Sequence, residues 1–337
     1  MSERPVRLGT TLLAIMVLVA GCGGGGDGET LTVYSGRHYG IETAFEAWSE
    51  ESGVSVQFLT GNDAELRERI AAEGTDTEAD VYLTVDAGNL WAAAEDGIFQ
   101  PLESTVLDES IPAELRDEQD RWFGLAVRAR TIVYNTDLVD ESEVPTTYEE
   151  LADETYDGRL CLRNASNDYQ QSLVASMIAA EGEDTAVAVL EGWASNAEIF
   201  ANDVAILDAM AAGACEIAVV NHYYLAQMLA EDPDAPIGLL WAEQDGRGVH
   251  VNISGGGVTR YADDIPLAQQ FLEWLATDGQ DTLVAANHEY PANPAVDAEP
   301  LIRDTFGTDF KRDQLRADVL GSLNADAVRA MDAAGFG

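Results

Sequence analysis

The chain has 337 residues, of which 61 are Asp or Glu and 18 are Lys or Arg, giving a formal net charge of −43 with 46% hydrophobic residues. This hydrophobic fraction excludes a disordered chain, and the length predicts roughly two domains with cores of their own. The charge excludes nucleic acid and anionic membrane surfaces as partners, because phosphates are bound by clustered cations and the only lysine is Lys311.

The acidic residues are spread along the whole chain instead of forming a tail. At about 1 M salt the screening length falls to ~3 Å, so that carboxylates can crowd a surface without repelling one another. The distribution therefore indicates a salt-adapted, halophilic surface. A GC-rich genome that favours Asp, Glu, Ala and Arg is the alternative interpretation.

The N-terminus has the features of a secretion signal. Two arginines precede the apolar residues 12–20, a run about half as long as a membrane span. We predict a signal peptide over residues 1–21. Residues 19–22, Val-Ala-Gly-Cys, resemble a lipobox in which Cys22 is lipidated, and the glycine-rich residues 22–30 then form a lipid-anchored tether. A chance cysteine after a signal peptide is the alternative.

This N-terminus predicts an extracytoplasmic protein that is anchored by lipid to the cell membrane, in the periplasm or on the outer face. Two further cysteines, Cys161 and Cys215, remain after processing. Outside the cytoplasm such a pair is most simply a disulfide, with two buried free thiols as the alternative.

Strands and helices alternate from the start of the mature chain. A helix containing Ile41, Phe45 and Trp48 at helical spacing follows the first strand. The sequence predicts strands at residues 31–34, 54–59 and 80–84, and further helices at 66–72 and 90–95. This alternation predicts an α/β lobe with a mainly parallel sheet.

A second α/β lobe begins near residues 126–135. The sequence predicts strands at 160–163 and 217–220, helices at 170–180, 186–193 and 204–211, returning strands within 248–259, and closing helices at 265–276 and within 314–331. Crossings near Arg130 and Val251 leave a ligand cleft between the lobes. We assign residues 31–130 and 252–290 to the first lobe and residues 131–251 and 291–337 to the second.

Catalytic motifs are missing from the sequence, which has no G-x-S-x-G, H-E-x-x-H, P-loop or G-x-G-x-x-G after a strand. We therefore predict a binding protein and not an enzyme. Aromatic side chains instead follow two strands: His38 and Tyr39 follow the first, and His222, Tyr223 and Tyr224 follow strand 217–220. Ligands of open α/β sheets collect at the carboxyl ends of strands, so we expect these loops to face each other across the cleft.

Several tyrosines at one cleft indicate a hard cation. The unperturbed pKa of tyrosine is near ~10, so only a strongly Lewis-acidic ion such as Fe(III) holds several phenolates at neutral pH. Calcium and magnesium prefer carboxylates, and zinc or Cu(I) prefers His and Cys. The alternative is a polyamine, thiamine or a small oxyanion, on which the tyrosines would stack.

Five segments carry a resemblance to a known family. They are residues 31–39 (LTVYSGRHY), 79–87 (ADVYLTVDA), 158–163 (GRLCLR), 219–224 (VVNHYY) and 289–294 (EYPANP). In order along nearly the whole mature chain, these segments resemble the ferric-iron-binding proteins of ABC transporters, in the extracellular solute-binding superfamily. The resemblance implies a two-lobed periplasmic-binding-protein fold with two connecting strands, closing on one Fe(III). It also implies an ABC transporter permease as partner, and we expect a monomer.

The resemblance also implies the metal ligands. Its paired tyrosines match Tyr223 and Tyr224, and its first-lobe residues match His38 and Tyr39. Some members place a carboxylate ligand directly after the third strand, where this chain has Val85 and then Asp86. That departure indicates the tyrosine-rich branch, in which a tyrosine at the start of a second-lobe helix completes the sphere without carbonate.

The matching residue for that tyrosine is Tyr169, which precedes a helix in a polar loop. Tyr134, near a crossing strand, is the alternative. Arg130 and Arg163, together with Arg128, are expected beside the phenolates, where a guanidinium would lower phenolate basicity; an ordinary salt bridge is the alternative for each.

Two other features are predicted to bind no ligand. His222 and His288 are predicted to be structural. Residues 254–257, Ser-Gly-Gly-Gly, are predicted to reverse the chain at the second crossing, with backbone binding of an oxyanion as the alternative.

Overall fold

The computed structural model describes residues 29–37 and 40–337, so the predicted signal peptide, Cys22, His38 and Tyr39 lie outside the described residues. The strands are β1 (Thr30–Ser35), β2 (Ser55–Thr60), β3 (Val81–Thr84), β4 (Phe123–Asn135), β5 (Leu160–Arg163), β6 (Ala197–Phe200), β7 (Ile217–Asn221), β8 (Ile237–Leu240), β9 (Val251–Val258) and β10 (Tyr290–Pro291). The first strand thus begins at Thr30, the last residue assigned to the tether.

Helices separate most of these strands. They are α1 (Ile41–Ser52), α2 (Asp63–Glu73), α3 (Ala87–Glu95), α4 (Thr105–Ser110), α5 (Asp168–Glu181), α6 (Glu183–Asn196), α7 (Asp203–Ala211), α8 (His222–Glu231), α9 (Ile265–Leu275), α10 (Gln280–Ala285), α11 (Pro300–Phe306), α12 (Ala317–Ser322) and α13 (Asn324–Ala333). Over the described ranges, none of these helices combines the length and apolar character that crossing a membrane requires.

The strands form a sheet in the order β2-β1-β3-β9-β4-β7-β5-β6, with β8 and β10 also pairing with β4. Strands β1, β2 and β3 run parallel, and so do β5, β6 and β7. The two connecting strands, β4 and β9, run antiparallel to their neighbours. The expected parallel arrangement therefore holds within each set of consecutive βα units, whereas β9 runs antiparallel to β3 and β4 runs antiparallel to β7.

Strand β4 belongs to both lobes. Its first part, up to Ala129, pairs with β9, and its second part, from Arg130, pairs with β7 and β8. All of its residues are buried. The chain returns to the first lobe at Val251, which pairs with Ala129. The two lobes are thus joined by continuous buried strands, which brings the second-lobe helix N-termini close to the first lobe.

The glycines of residues 254–257 lie inside β9, between β3 and β4. A Cβ on Gly255 or Gly257 would stand 2.3 Å from the carbonyl oxygen of Phe123 or Arg121, and one on Gly256 would stand 2.3 Å from the side chain of Leu83. Both interpretations of this segment, as a chain reversal and as an oxyanion loop, are therefore wrong: glycine is required because three backbones approach closely.

The predicted disulfide between Cys161 and Cys215 is present, with 6.0 Å between the two Cα atoms. Cys161 lies in β5, and Cys215 lies two residues before β7, the parallel neighbour of β5. The bond therefore ties β5 to the start of its neighbour β7, at the end of these strands opposite to α8.

Candidate metal centre

Tyr169 is the second residue of α5, in the first turn of the helix. Asn167 caps this helix, with its side-chain oxygen accepting a hydrogen bond from the backbone N–H of Tyr169 at 3.0 Å. The polar segment before α5 therefore supplies the N-cap of the helix, and Tyr169 belongs to a helical turn and not to a loop.

Tyr223 and Tyr224 lie in the first turn of α8. The sequence predicted a loop after β7, but the chain passes from Asn221 at the end of the strand directly into the helix at His222. The reason is that this segment continues into apolar residues at helical spacing, which bury one face of α8. The rings of Tyr223 and Tyr224 have centroids 4.2 Å apart, with Tyr223 only 3% exposed.

The neighbouring histidine packs in the core. His222 is fully buried, and its Nδ1 accepts a hydrogen bond from the backbone N–H of Ala129 at 3.1 Å. Its ring lies against that of Tyr290, with centroids 4.9 Å apart. Burial lowers the pKa of His222 to about 4. The residue is therefore a neutral structural group that joins α8 to β4, in agreement with its predicted role.

The three second-lobe tyrosines influence one another electrostatically. Burial raises the pKa of Tyr169 to about 12, opposed by the guanidinium of Arg128. Burial also raises the pKa of Tyr223 well above its ordinary value, and the hydroxyls of Tyr169 and Tyr224 raise it further. The structure thus brings Tyr169, Tyr223 and Tyr224 together from two helix N-termini, whose positive dipole ends favour anions.

Two arginines flank the ring of Tyr169. The guanidinium carbon of Arg128 lies 4.8 Å from the ring centroid and that of Arg163 lies 5.3 Å from it. Arg128 is held by hydrogen bonds to Ser254 Oγ at 2.9 Å and the Ile253 carbonyl at 3.0 Å. A fixed positive charge therefore stands beside the position where a phenolate would form.

Arg130 is engaged elsewhere. Its guanidinium donates to Asp203 at 2.9 Å, to the Val219 carbonyl at 3.0 Å and to Gln170 at 3.2 Å. Asp203 also lies 3.7 Å from Arg163. Arg130 therefore forms the ordinary buried ion pair that was the alternative to contact with a phenolate.

Glu289 is the site residue that the sequence analysis did not single out. Its carboxylate pairs with Arg37 and lies 3.6 Å from Arg128. Although burial raises the pKa of Glu289, the charges of Arg37 and Arg128 outweigh it and hold the pKa below its ordinary value. Its position at the start of segment 289–294, directly before β10, was the available signal.

The carboxylate after the third strand has a structural role. Asp86 accepts a hydrogen bond from the backbone N–H of Gly88 at 2.6 Å and so caps α3. Its other oxygen accepts from Asn252 Nδ2 at 2.7 Å, and the same amide donates to Ser172 Oγ in α5 at 2.7 Å. Burial and Asp168 raise the pKa of Asp86 to about 6. Asp86 thus holds Asn252, whose amide connects α3 to α5.

Tyr134 lies away from the other tyrosines. In β4 it stands opposite Ile217 at the start of β7, whereas Asn221, at the end of β7, adjoins α8. Four residues of strand correspond to about 13 Å. Burial and the carboxylate of Glu141 raise its pKa, with no contribution from the groups around Tyr169. Of the two competing tyrosines, Tyr169 is the one that shares a site with Tyr223.

Within the described residues, no group of three or more His, Cys, Asp or Glu side chains is arranged to hold a metal ion. The cluster that the structure does assemble consists of phenols and guanidinium groups. Such a cluster can bind a hard cation through phenolate oxygens while the arginines offset their excess charge.

This chain is similar to a family of solute-binding proteins and to proteins named for iron uptake or ferric binding. The family model described as bacterial extracellular solute-binding protein matches residues 76–308. Iron uptake protein A1 of Synechocystis sp. is 40% identical over 92% of this chain and 88% of its own length. The structure of the Trichodesmium protein in complex with iron and citrate has a TM-score of 0.86 at 38% identity, covering 91% of this chain and all of that one. The ferric binding protein from Campylobacter jejuni has a TM-score of 0.84 at 30% identity, with the same coverage.

Proposed function

This chain belongs to the bacterial extracellular solute-binding protein family, and we propose that it captures Fe(III) outside the cytoplasm and delivers it to an ABC transporter permease. The observation that carries this proposal is the convergence of Tyr169, Tyr223 and Tyr224 beside Arg128. The relatives named above, which are described by iron uptake, bound iron and ferric binding, support it.

The proposed metal ligands are His38 and Tyr39 from the first lobe and Tyr169, Tyr223 and Tyr224 from the second. Arg37, the residue before His38 in the sequence, is itself held by Glu289 and by the Leu283 carbonyl at 2.7 Å. Ligands from both lobes would hold the cleft closed around the ion.

The charges in this site suit Fe(III) without an added anion. Four phenolates carry one more negative charge than Fe(III) can neutralise. Arg128 supplies a positive charge beside the ring of Tyr169, at 4.8 Å from its centroid. Since Glu289 is already paired with Arg37, it does not fully cancel the charge of Arg128. The excess is therefore balanced by the protein itself, which supports binding without carbonate.

The experiment is ferric loading of the mature protein followed by visible absorption spectroscopy. Fe(III)–phenolate charge transfer gives a red to orange colour, whereas polyamine, thiamine or oxyanion ligands give none. Tyr169→Phe, Tyr223→Phe and Tyr224→Phe should each weaken colour and affinity. Tyr134→Phe is the matched control, because its phenol is also shielded from solvent but lies at the far end of β4. A colourless wild-type protein, or a loss of colour in the control with retention in Tyr169→Phe, contradicts the proposed ligand set.

We further propose that Cys22 carries the lipid anchor. Cys22→Ser should release the protein from the membrane fraction without changing ferric binding by the purified protein. Retention of the Ser variant in washed membranes would contradict lipidation while leaving the iron proposal intact.

A further inference from the structure

A pocket of about 400 Å³ lies on the side of β4 that faces away from Tyr169, Tyr223 and Tyr224. Val127 and Tyr290, which are paired across β4 and β10, line it. Arg128, which follows Val127, and Glu289, which precedes Tyr290, contact each other on the side of Tyr169. Because side chains alternate along a strand, the pocket and the candidate metal centre occupy opposite faces of the same connection between the lobes.

Arg312 lines this pocket and has no ionic partner in the part of the chain that the structure describes. Its guanidinium carbon lies 5.4 Å from the ring centroid of Tyr290 and 5.3 Å from that of Phe310. The structure gives it these ring contacts and, among the described residues, neither an ion pair nor a side-chain hydrogen bond. Burial lowers the pKa of Arg312, and only the hydroxyl of Tyr290 opposes this.

A half-buried guanidinium with no carboxylate partner among the described residues is unexpected in a chain with 61 acidic residues. Three carboxylates, those of Glu114, Asp297 and Asp313, also line the pocket, but none forms an ion pair with Arg312. The buried Arg128 and Arg130, by contrast, are both held by hydrogen bonds and carboxylates. The pocket therefore keeps one cationic group available to an anion that enters it.

The shape and walls of the pocket define the class of anion. Its volume is at the lower end of the range of small-molecule sites, roughly 300–1,000 Å³. Its lining is mixed, and Leu115, Val127 and Val251 are among its apolar members. A planar guanidinium fork matches a carboxylate, while the three lining carboxylates disfavour an ion with several negative charges. We propose that this pocket binds a small aliphatic monocarboxylate, with its carboxylate on Arg312 and its chain along these apolar residues.

The test is calorimetric titration of the iron-free protein with sodium pentanoate, compared with the neutral isostere pentanamide and with sodium sulfate. Pentanoate should bind saturably at one site, and pentanamide and sulfate at least tenfold more weakly. Arg312→Gln should weaken pentanoate binding at least tenfold. Arg260→Gln is the matched control. Within residues 29–37 and 40–337, Arg260 also has no carboxylate partner, and it lies 5.8 Å from the ring centroid of Tyr261, but it is exposed and outside this pocket.

A second variant keeps the proposal testable if Arg312→Gln fails to fold. Val296 is half-buried at the pocket and distant in sequence from Arg312, so Val296→Phe should fill the space without removing the charge. Wild-type affinity in Val296→Phe overturns the proposal. It is also overturned by the absence of saturable pentanoate binding, by equal effects of the two arginine variants, or by sulfate binding as tightly as pentanoate. None of these outcomes bears on ferric colour, so the proposed function is tested separately.

Discussion

Replacing Glu289 by Gln removes the carboxylate that lies between two buried arginines while keeping the size of the side chain. The carboxylate is 1% exposed and lies 3.6 Å from Arg128, in addition to its pair with Arg37. At an effective dielectric constant of about 20, a pair of charges at this separation is worth about 5 kcal/mol. Part of this is offset because Gln is easier to desolvate than a carboxylate. We therefore expect Glu289→Gln to lower the free energy of unfolding by about 3–5 kcal/mol, as breaking a buried ion pair does.

The assay is urea unfolding of the iron-free protein at pH 7, followed by tryptophan fluorescence and by far-UV circular dichroism. Glu216→Gln is the control, because Glu216 pairs with Arg159 while each side chain remains 32% exposed. A partly exposed pair contributes about 0–1 kcal/mol. A loss in Glu289→Gln no larger than that in the control refutes the assignment of Glu289 as the counter-charge of the buried arginines.

The pH dependence gives an independent check with a defined sign. The pKa of Glu289 lies below its ordinary value in the folded protein. Its stabilisation is therefore fully present above the unfolded pKa, near ~4.3, and is lost as the pH falls through the folded value. The difference in stability between the wild type and Glu289→Gln should be constant from pH 7 to about pH 5 and should shrink below about pH 4. A difference that grows on acidification contradicts this reasoning.

Ferric affinity should rise by up to about tenfold per pH unit for each phenol that loses its proton, because burial raises the pKa of Tyr169 and of Tyr223. Competition with a chelator at several pH values measures this affinity. An affinity that does not change with pH would exclude phenolate ligands. Removing the disulfide with Cys161→Ala and Cys215→Ala should lower the free energy of unfolding by about 4 kcal/mol, since the bond closes a loop with a sequence separation of 54. An unchanged stability in urea would contradict this. Gly256→Ala should lower the free energy of unfolding by about 1–3 kcal/mol, because its Cβ would overlap the Leu83 side chain and stand 2.7 Å from the Tyr82 carbonyl. An unchanged midpoint of urea unfolding would show that β3 and β9 can move apart to accommodate the methyl group.

The βα units were accessible from the sequence because their signals are local. The strand predicted at residues 160–163 has the observed bounds of β5, and the helix predicted at 204–211 differs from α7 by one residue. The parallel order within each set of units followed from the alternation. The direction of the connecting strands did not, because β4 and β9 pair with strands far away in sequence.

The candidate site was predictable to the extent that it uses aromatic residues next to strands. Tyr169, Tyr223 and Tyr224 could be named because they follow a strand or precede a helix, and the resemblance located them. The helical conformation at Tyr223 was missed because an apolar strand followed directly by aromatic residues gives no local signal for a helix start. Glu289 was missed because its role depends on Arg37, 252 positions earlier in the chain. In a sequence rich in acidic residues, nothing next to a single glutamate indicates that it is buried.

The sharing of β4 by both lobes has a consequence for how the protein folds. Hydrogen bonds from this strand complete the sheet of the first lobe through β9 and β10 and that of the second through β7 and β8. Melting either lobe would leave one half of a buried strand without partners, and unpaired backbone groups are strongly disfavoured away from water. The lobes therefore cannot behave as independent folding units. The protein should therefore unfold in a single cooperative step, with the amides of β4 among the last to exchange with solvent.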